Sequence, residues 1–245
     1  MFNFFKKKTA QEPAGLCIAT DIHCHLIPGV DDGSPDMETS IALIKRMQKL
    51  GFKRIFASPH ITQDTFENTQ EELDNGLNEL KAELARQGID IFIDRSAEYR
   101  IDEYSLEQIN SGKAKALPNG YIIVENSFIQ EPWQLDKTLF DIKVKGYKTI
   151  LAHPERYFYY HNKRNRYDEL HNAGTLFQIN LLSLAGYYGK DEKIFAEYLV
   201  DKGYVDFLGS DIHRMAHIDA IENYLTSKDY KKIAPKLNVL NDSVI

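Results

Sequence analysis

The sequence predicts an α/β protein: a parallel sheet with helices packed outside it. Three observations predict this. Short apolar runs rich in β-branched and aromatic residues each follow a glycine, amphipathic helix-like segments separate them, and polar groups gather where each run ends. Glycine there suits the left-handed turn that ends a helix, and a continuous apolar run suits a strand buried on both faces. Strict alternation of β and α then implies parallel strands. Seven runs would close into a (β/α)7 barrel or lie open as a doubly wound sheet, and the pattern alone allows both.

The elements follow in order. The first run is "GLCIATDIH" from Gly15. After Ser34, "PDMETSIALIKRMQKL" places Pro35 at a first helical position and Ile41, Ile44, Met47 and Leu50 on one face. The run "GFKRIFASPH" from Gly51 leads to "TQEELDNGLNELKAELARQ", where Leu73, Leu77, Leu80 and Leu84 make the apolar stripe. "GIDIFIDRSAE" from Gly88 precedes the one irregular stretch, "EYSLEQINSGKAKALP". "GYIIVEN" from Gly120, "GYKTILAHPER" from Gly146, "GTLFQIN" from Gly174 and "GYVDFLGSDIH" from Gly203 complete the set. "WQLDKTLFDIKVK", "RYDELHNA" and "DEKIFAEYLVDK" are the helices between them. No linker or low-complexity segment divides the chain, so residues 15–245 form one expected domain behind a loose tail over 1–14.

Composition excludes several classes. The chain has 245 residues, 43% hydrophobic and 27% charged, which is ordinary for a soluble globular protein. No apolar run approaches the ~18–20 residues that cross a bilayer, so no stable membrane insertion is expected. "MFNFFKKK" lacks the apolar stretch of a signal peptide, which makes a cytoplasmic location the default. Net charge is −6 with no Lys/Arg stripe, so nucleic acid is not an expected partner. Cys17 and Cys24 form neither a C-x-x-C motif nor a disulfide framework. Nor do they belong to a C-x5-R phosphatase loop: six residues beyond them stand His23 and Val30.

The chemistry sits where the runs end. In barrels and open α/β sheets alike, ligands bind beyond the carboxyl ends of parallel strands. Those ends carry His23 and His25, His60, Glu98, Glu125, His153, Asn180, and Asp211 with His213, which gathers five of the eight histidines. Asp31 or Asp32 lies just beyond the first pair. Singly, His60 or His153 would be read as a hydrogen-bonded packing residue, and Glu98 or Glu125 as a cap or ion pair. Together they imply a metal site. Strand alternation sends i and i+2 to the same side, so both imidazoles of H-x-H reach one ion, and Asp211-Ile212-His213 repeats that spacing.

Imidazole and carboxylate without thiolate suit manganese, iron or zinc. The ligands exceed what one ion uses, so two or three divalent transition-metal ions follow, with hydrolysis as their chemistry. Arg156, three residues past His153, could fork onto a phosphate or merely form a surface ion pair. Arg100 and Arg214 lie similarly close to expected ligands. Aromatic residues in "RYFYYH", with Phe66 and Trp133 on other loops, could rim the mouth.

The segments "DIHCHLIPGVDDG", "ASPHITQDTFENT", "SAEY", "IIVENS", "LAHPERY" and "GSDIH" run in an order that resembles a known family. It is the PHP (polymerase and histidinol phosphatase) superfamily, within it the CpsB/YwqE-like tyrosine-protein phosphatases of bacterial capsule and exopolysaccharide loci. The resemblance runs from about Asp21 to His213. It implies a distorted (β/α)7 barrel with the active site at the C-terminal strand ends and three metals, commonly manganese or iron. It implies His23, His25, Asp32, His60, Glu98, Glu125, His153, Asp211 and His213 as metal ligands. Arg156, Asp211 and His213 become the catalytic set, with Arg156, Tyr157 and Arg214 meeting substrate. The implied substrate is a phosphotyrosine protein, typically the tail of a tyrosine autokinase. The family often has an arginine a few residues beyond the last D-x-H; here Arg214 follows His213 directly.

Other readings remain. A small-molecule phosphomonoesterase such as histidinol phosphatase is the nearest. An amidohydrolase would want eight strands and a carboxylated lysine. A non-catalytic module would be expected to have lost part of the ligand set.

Overall fold

The structure, a computed structural model, describes residues 15–244. The expected tail over 1–14 lies outside the described residues. The chain proceeds through β1 (Thr20–Asp21), α1 (Met37–Leu50), β2 (Arg54–Ala57), β3 (His60–Ile61), α2 (Gln70–Arg86), β4 (Phe92–Arg95) and β5 (Glu98–Arg100). It continues through α3 (Glu103–Asn110), β6 (Tyr121–Glu125), α4 (Leu135–Val144), β7 (Lys148–Ala152), α5 (Phe158–His161) and α6 (Asn165–Asn172). The last elements are β8 (Leu176–Asn180), α7 (Leu181–Leu184), α8 (Lys190–Lys202), β9 (Phe207–Gly209), α9 (Met215–Leu225) and α10 (Lys228–Ile233).

Every strand pairing is parallel, as the alternation requires. The seven expected runs are present, but two are broken. The second divides into β2 and β3 at Ser58-Pro59, and the third into β4 and β5 at Ser96-Ala97. Proline cannot donate to a ladder, so a break at that point is its ordinary consequence. The ladders therefore fall into two groups, β1-β2-β4 and β3-β5-β6-β7-β8-β9. Backbone bonds carry the pairing across both breaks: Ser58 N donates to Cys24 O, Ser96 N to Ala57 O, and Glu98 N to Pro59 O.

The ring closes beyond the assigned strands. Asp211 N donates to His23 O at 2.8 Å, and His25 N donates to Ile212 O at 3.0 Å. The first and last runs are thus neighbours, which selects the distorted barrel over the open sheet. Ile22, Phe56, Ile123, Ile150 and Phe207 fill its interior together with Val244 from the far end of the chain. A larger apolar layer between strands and helices includes the stripes of α1 and α2.

Two local expectations are corrected. The helix after Ser34 starts at Met37 because Asp36 caps it, its carboxylate accepting from Thr39 N at 2.8 Å. The irregular stretch holds α3, which Asp102 caps in the same way through Ser105 N.

Candidate metal centre

Beyond β1, the rings of His23 and His25 lie 5.4 Å apart on one side while Cys24 joins the apolar core. The other strand ends bring their groups to the same place. Four overlapping sets each lie within 4.8 Å: His25, Asp32, His60 and His213; His23, Glu98 and His153; His23, His25 and Asp211; His60, Glu98 and Glu125. All nine residues expected as ligands are in these sets.

Two carboxylates tie the sets together. Glu98 Oε2 lies 3.2 Å from both His23 Nε2 and His60 Nδ1, while its Oε1 lies 3.0 Å from His153 Nε2. Asp211 Oδ1 faces His23 Nε2 at 3.6 Å and His25 Nε2 at 3.5 Å. Its Oδ2 accepts from Arg156 Nη1 at 3.0 Å, Asn180 Nδ2 at 2.6 Å and the Tyr188 hydroxyl at 3.0 Å. One oxygen of Asp211 is thereby anchored and the other is presented to the imidazoles.

The aspartate alternative resolves by geometry. Asp31 is buried, receives His25 Nδ1 on Oδ2 at 2.8 Å, and accepts from Gly33 N on Oδ1 at 3.0 Å. Asp32 instead faces His60 Nε2 at 3.5 Å and His213 Nε2 at 3.4 Å. Asp31 orients a ligand-type imidazole, and Asp32 joins the cluster. Gly33 is glycine because a Cβ there would collide with Cβ and the carbonyl of His25. His23 is oriented similarly: its Nδ1 meets Gln178 Oε1 at 2.6 Å, which turns Nε2 toward the cluster.

These donors fit multivalent cations. His23 Nε2, His25 Nε2, His60 Nδ1 and Glu98 Oε2 are buried without a hydrogen bond, an expensive state unless an ion takes them. Their protonation is correspondingly distorted. Burial would lower the His23 imidazole, but Glu98 and then Asp211 hold it up at about 9. Burial, then Glu98, pushes the Glu125 carboxyl up to about 8, despite its ion pair with Arg100 Nε at 2.9 Å. Burial takes both His60 and His153 down to about 4. His153 and Asp211 also hold backbone φ of +33° and +51°, conformations that L-residues adopt under constraint and that cluster at functional sites.

Above the cluster opens a cleft of about 430 Å³. Arg156, Arg100 and Arg214 line it, with Phe66, Phe128 and Tyr188. The Arg156 guanidinium stands 4.1 Å from the ring centroid of Tyr188 and 4.8 Å from that of Phe128. It is neither a free surface ion nor a surface ion pair.

Two expected contacts are corrected. Tyr157 is fully buried; its hydroxyl donates to Ala152 O at 3.0 Å and accepts from Asn126 N at 2.9 Å, so it has no face toward the cleft. Trp133 is 88% exposed and lies outside the cleft lining, where Phe128 stands instead. Sequence reasoning missed Gln178, Tyr188, Phe128 and His217, whose Nδ1 meets Asp211 O at 3.1 Å. Gln178 had a signal, since it precedes Asn180 by two on one strand. The other three had none beyond standing near strand ends.

The fold and site define the class: an α/β barrel of the PHP type, with an imidazole–carboxylate centre suited to several divalent cations. Residues 19–245 match the family described as "Capsular polysaccharide synthesis, CpsB/CapC". The chain belongs to the CpsB/CapC family. It is 30% identical over 198 residues to the tyrosine-protein phosphatase YwqE of Bacillus subtilis (strain 168), covering 80% of this chain and 77% of YwqE. To the putative tyrosine-protein phosphatase CapC of Staphylococcus aureus it is 28% identical over 200 residues, covering 80% and 78%. In three dimensions it is similar to a solved structure from a study of YwqE and Streptococcus pneumoniae CpsB, described there as unique metal-dependent tyrosine phosphatases. The TM-score is 0.77 at 27% identity, covering 91% of this chain and 94% of that one.

Proposed function

We propose that this protein is a metal-dependent protein-tyrosine phosphatase. The observation that carries the reading is Arg156, a guanidinium at the rim of a buried multi-ligand centre, in a chain whose relatives are named tyrosine-protein phosphatases. His23, His25, Asp32, His60, Glu98, Glu125, His153, Asp211 and His213 would hold two or three divalent ions, manganese first, with iron or zinc as alternatives. Bound there, such ions supply a nucleophile at neutral pH and neutralise charge on phosphoryl oxygens.

The remaining work falls to the chain. Arg156 presents N–H donors to the non-bridging oxygens of the phosphoryl group. Asp211 anchors that guanidinium, and Asn180 and Tyr188 fix Asp211 in turn. His213 stands beside Asp211 and Asp32 and completes the centre on the side nearest Arg214. Arg214, exposed on the cleft wall, would meet substrate beyond the phosphate.

The substrate proposed is a phosphotyrosine protein, specifically the tail of a bacterial tyrosine autokinase that regulates capsule or exopolysaccharide synthesis. A cytoplasmic location goes with that partner. Among the described residues, no helix is long and apolar enough to cross a membrane.

The test compares kcat/KM for a phosphotyrosyl peptide, a phosphoseryl peptide, histidinol phosphate and a small aryl phosphate. Tyrosine leaves with a pKa of ~10, so the aryl phosphate controls for leaving-group chemistry. The phosphotyrosyl peptide is expected to exceed all three. If histidinol phosphate wins and the peptide has no advantage over the aryl phosphate, the protein is a small-molecule phosphatase.

A further inference from the structure

We propose that Phe66 and Phe128 make this site selective for aryl over alkyl phosphate esters by walling the space that the substrate's ring enters. The inference rests on the tyrosine-phosphatase reading above and adds the residues that set its specificity.

Both rings line the cleft, and each is locked to the centre beneath it. Phe66 stacks on His60 with centroids 5.6 Å apart and planes 11° apart; Phe128 stacks on His153 at 5.6 Å and 18°. Those two imidazoles hold opposite oxygens of Glu98, His60 at 3.2 Å and His153 at 3.0 Å. The aromatic walls therefore flank the Glu98 carboxylate. A phosphoryl group held by Arg156, itself 4.8 Å from the Phe128 centroid, directs its ester substituent along that wall.

Both walls are also held from behind. Thr62 and Phe66 exchange backbone hydrogen bonds at 2.9 Å around a turn in which Asp64 takes φ +61°. Three tyrosines brace the chain just before Phe128. Tyr157 and Tyr160 hydroxyls accept from Asn126 at 2.9 and 3.1 Å, and Tyr159 donates to Ser127 O at 2.9 Å. The tyrosines of "RYFYYH" thus position Phe128 from beneath and do not rim the mouth themselves. Phe128 remains 38% exposed, an apolar ring held at a polar mouth and lining the cleft. Rings held in place offer stacking to a substrate ring at little ordering cost, and a flexible alkyl chain cannot reciprocate.

The test uses the metal-loaded enzyme and the variants Phe66→Leu and Phe128→Leu, with Phe→Met at each position as a second replacement of similar volume. Two esters with leaving groups of equal pKa, one phenyl and one fluoroalkyl, are compared by kcat/KM. Phenylphosphonate and butylphosphonate are compared as equilibrium ligands, and metal content is measured on every sample. Each substitution is expected to lower the aryl-to-alkyl ratio about three- to tenfold and weaken phenylphosphonate alone by a similar factor, the size of one aromatic pair. Ratios within a factor of two of wild type overturn the proposal. So does parallel loss of both esters or of metal, which would make the rings mere props for His60 and His153. If wild type hydrolyses neither ester, the phosphatase reading fails, while the phosphonate comparison still decides the role of the rings.

Discussion

Arg156 and Asp211 meet at 3.0 Å, through the aspartate oxygen that faces away from the imidazoles. The arginine proposed to bind phosphate is thus joined to the metal-type centre by a single carboxylate. Burial opposes ionisation of Asp211, yet His213, His23 and Arg156 together hold its carboxyl well below the usual range. Arg156→Ala should therefore lower kcat/KM on the order of 10²-fold or more, the scale of a charge-assisted contact made in the transition state. Asn180 and Tyr188 still anchor Asp211 in that variant, so metal content should stay near wild type. Steady-state kinetics paired with elemental analysis check both. Activity within a factor of two of wild type would remove Arg156 from the phosphate.

The protein should carry more than one transition-metal ion per chain, and a chelator should abolish phosphatase activity. Stripping should also lower Tm by several degrees, roughly as expected when a tight ligand of the native state is lost. The reason is that Glu98, Glu125 and Asp211 are all buried within one cluster that exists only in the folded chain, so ions bound there stabilise the native state alone. Elemental analysis and calorimetry before and after chelation measure this. A fully active protein without bound metal would refute it.

Much of the centre is legible in sequence because its parts follow simple periodicities. H-x-H and D-x-H converge because strand alternation repeats every second residue, and the remaining ligands converge because parallel strands share one C-terminal face. What depends on long-range packing is not legible. Nothing local says that Tyr157 points inward while Phe128 points to the cleft. Pro59 signals the break in the second run, but the residue pattern does not show that the run through Ser96-Ala97 also breaks, or that the ring stays intact across both. Gln178 supports His23 across 155 positions of sequence, a pairing no window can see.

Asp31 and Asp32 should separate cleanly by mutation. Asp31→Asn keeps the shape but loses the carboxylate that orients His25, and should weaken metal binding about 10- to 100-fold, as other changes to ligand-supporting groups do. Asp32→Asn alters a group at the cluster itself, half exposed between His60 and His213, and should reduce the number of ions bound at saturation. Metal titrations followed by calorimetry distinguish a shifted affinity from a lost site. The same behaviour in both variants would contradict the division of roles.

The opposite end of the barrel should affect stability without touching chemistry. Asn241 is fully buried there, and its side chain joins the first and last strands. Its Oδ1 accepts from Leu208 N at 2.9 Å, while Nδ2 donates to Thr20 O at 3.0 Å and Leu208 O at 2.7 Å. Val244, a few residues on, closes the barrel interior. Asn241→Ala would strand one buried N–H and weaken two carbonyl contacts, a loss of about 2–4 kcal/mol given the penalty for unpaired buried polar groups. Because in barrels of this kind the N-terminal face carries stability and the C-terminal face carries the site, kcat/KM per folded molecule should be unchanged. Urea unfolding of the metal-loaded protein reads the first quantity and assay below the transition reads the second. An unchanged midpoint would show that the C-terminal segment does not hold the barrel closed, and a large fall in kcat/KM would show that the two ends are coupled.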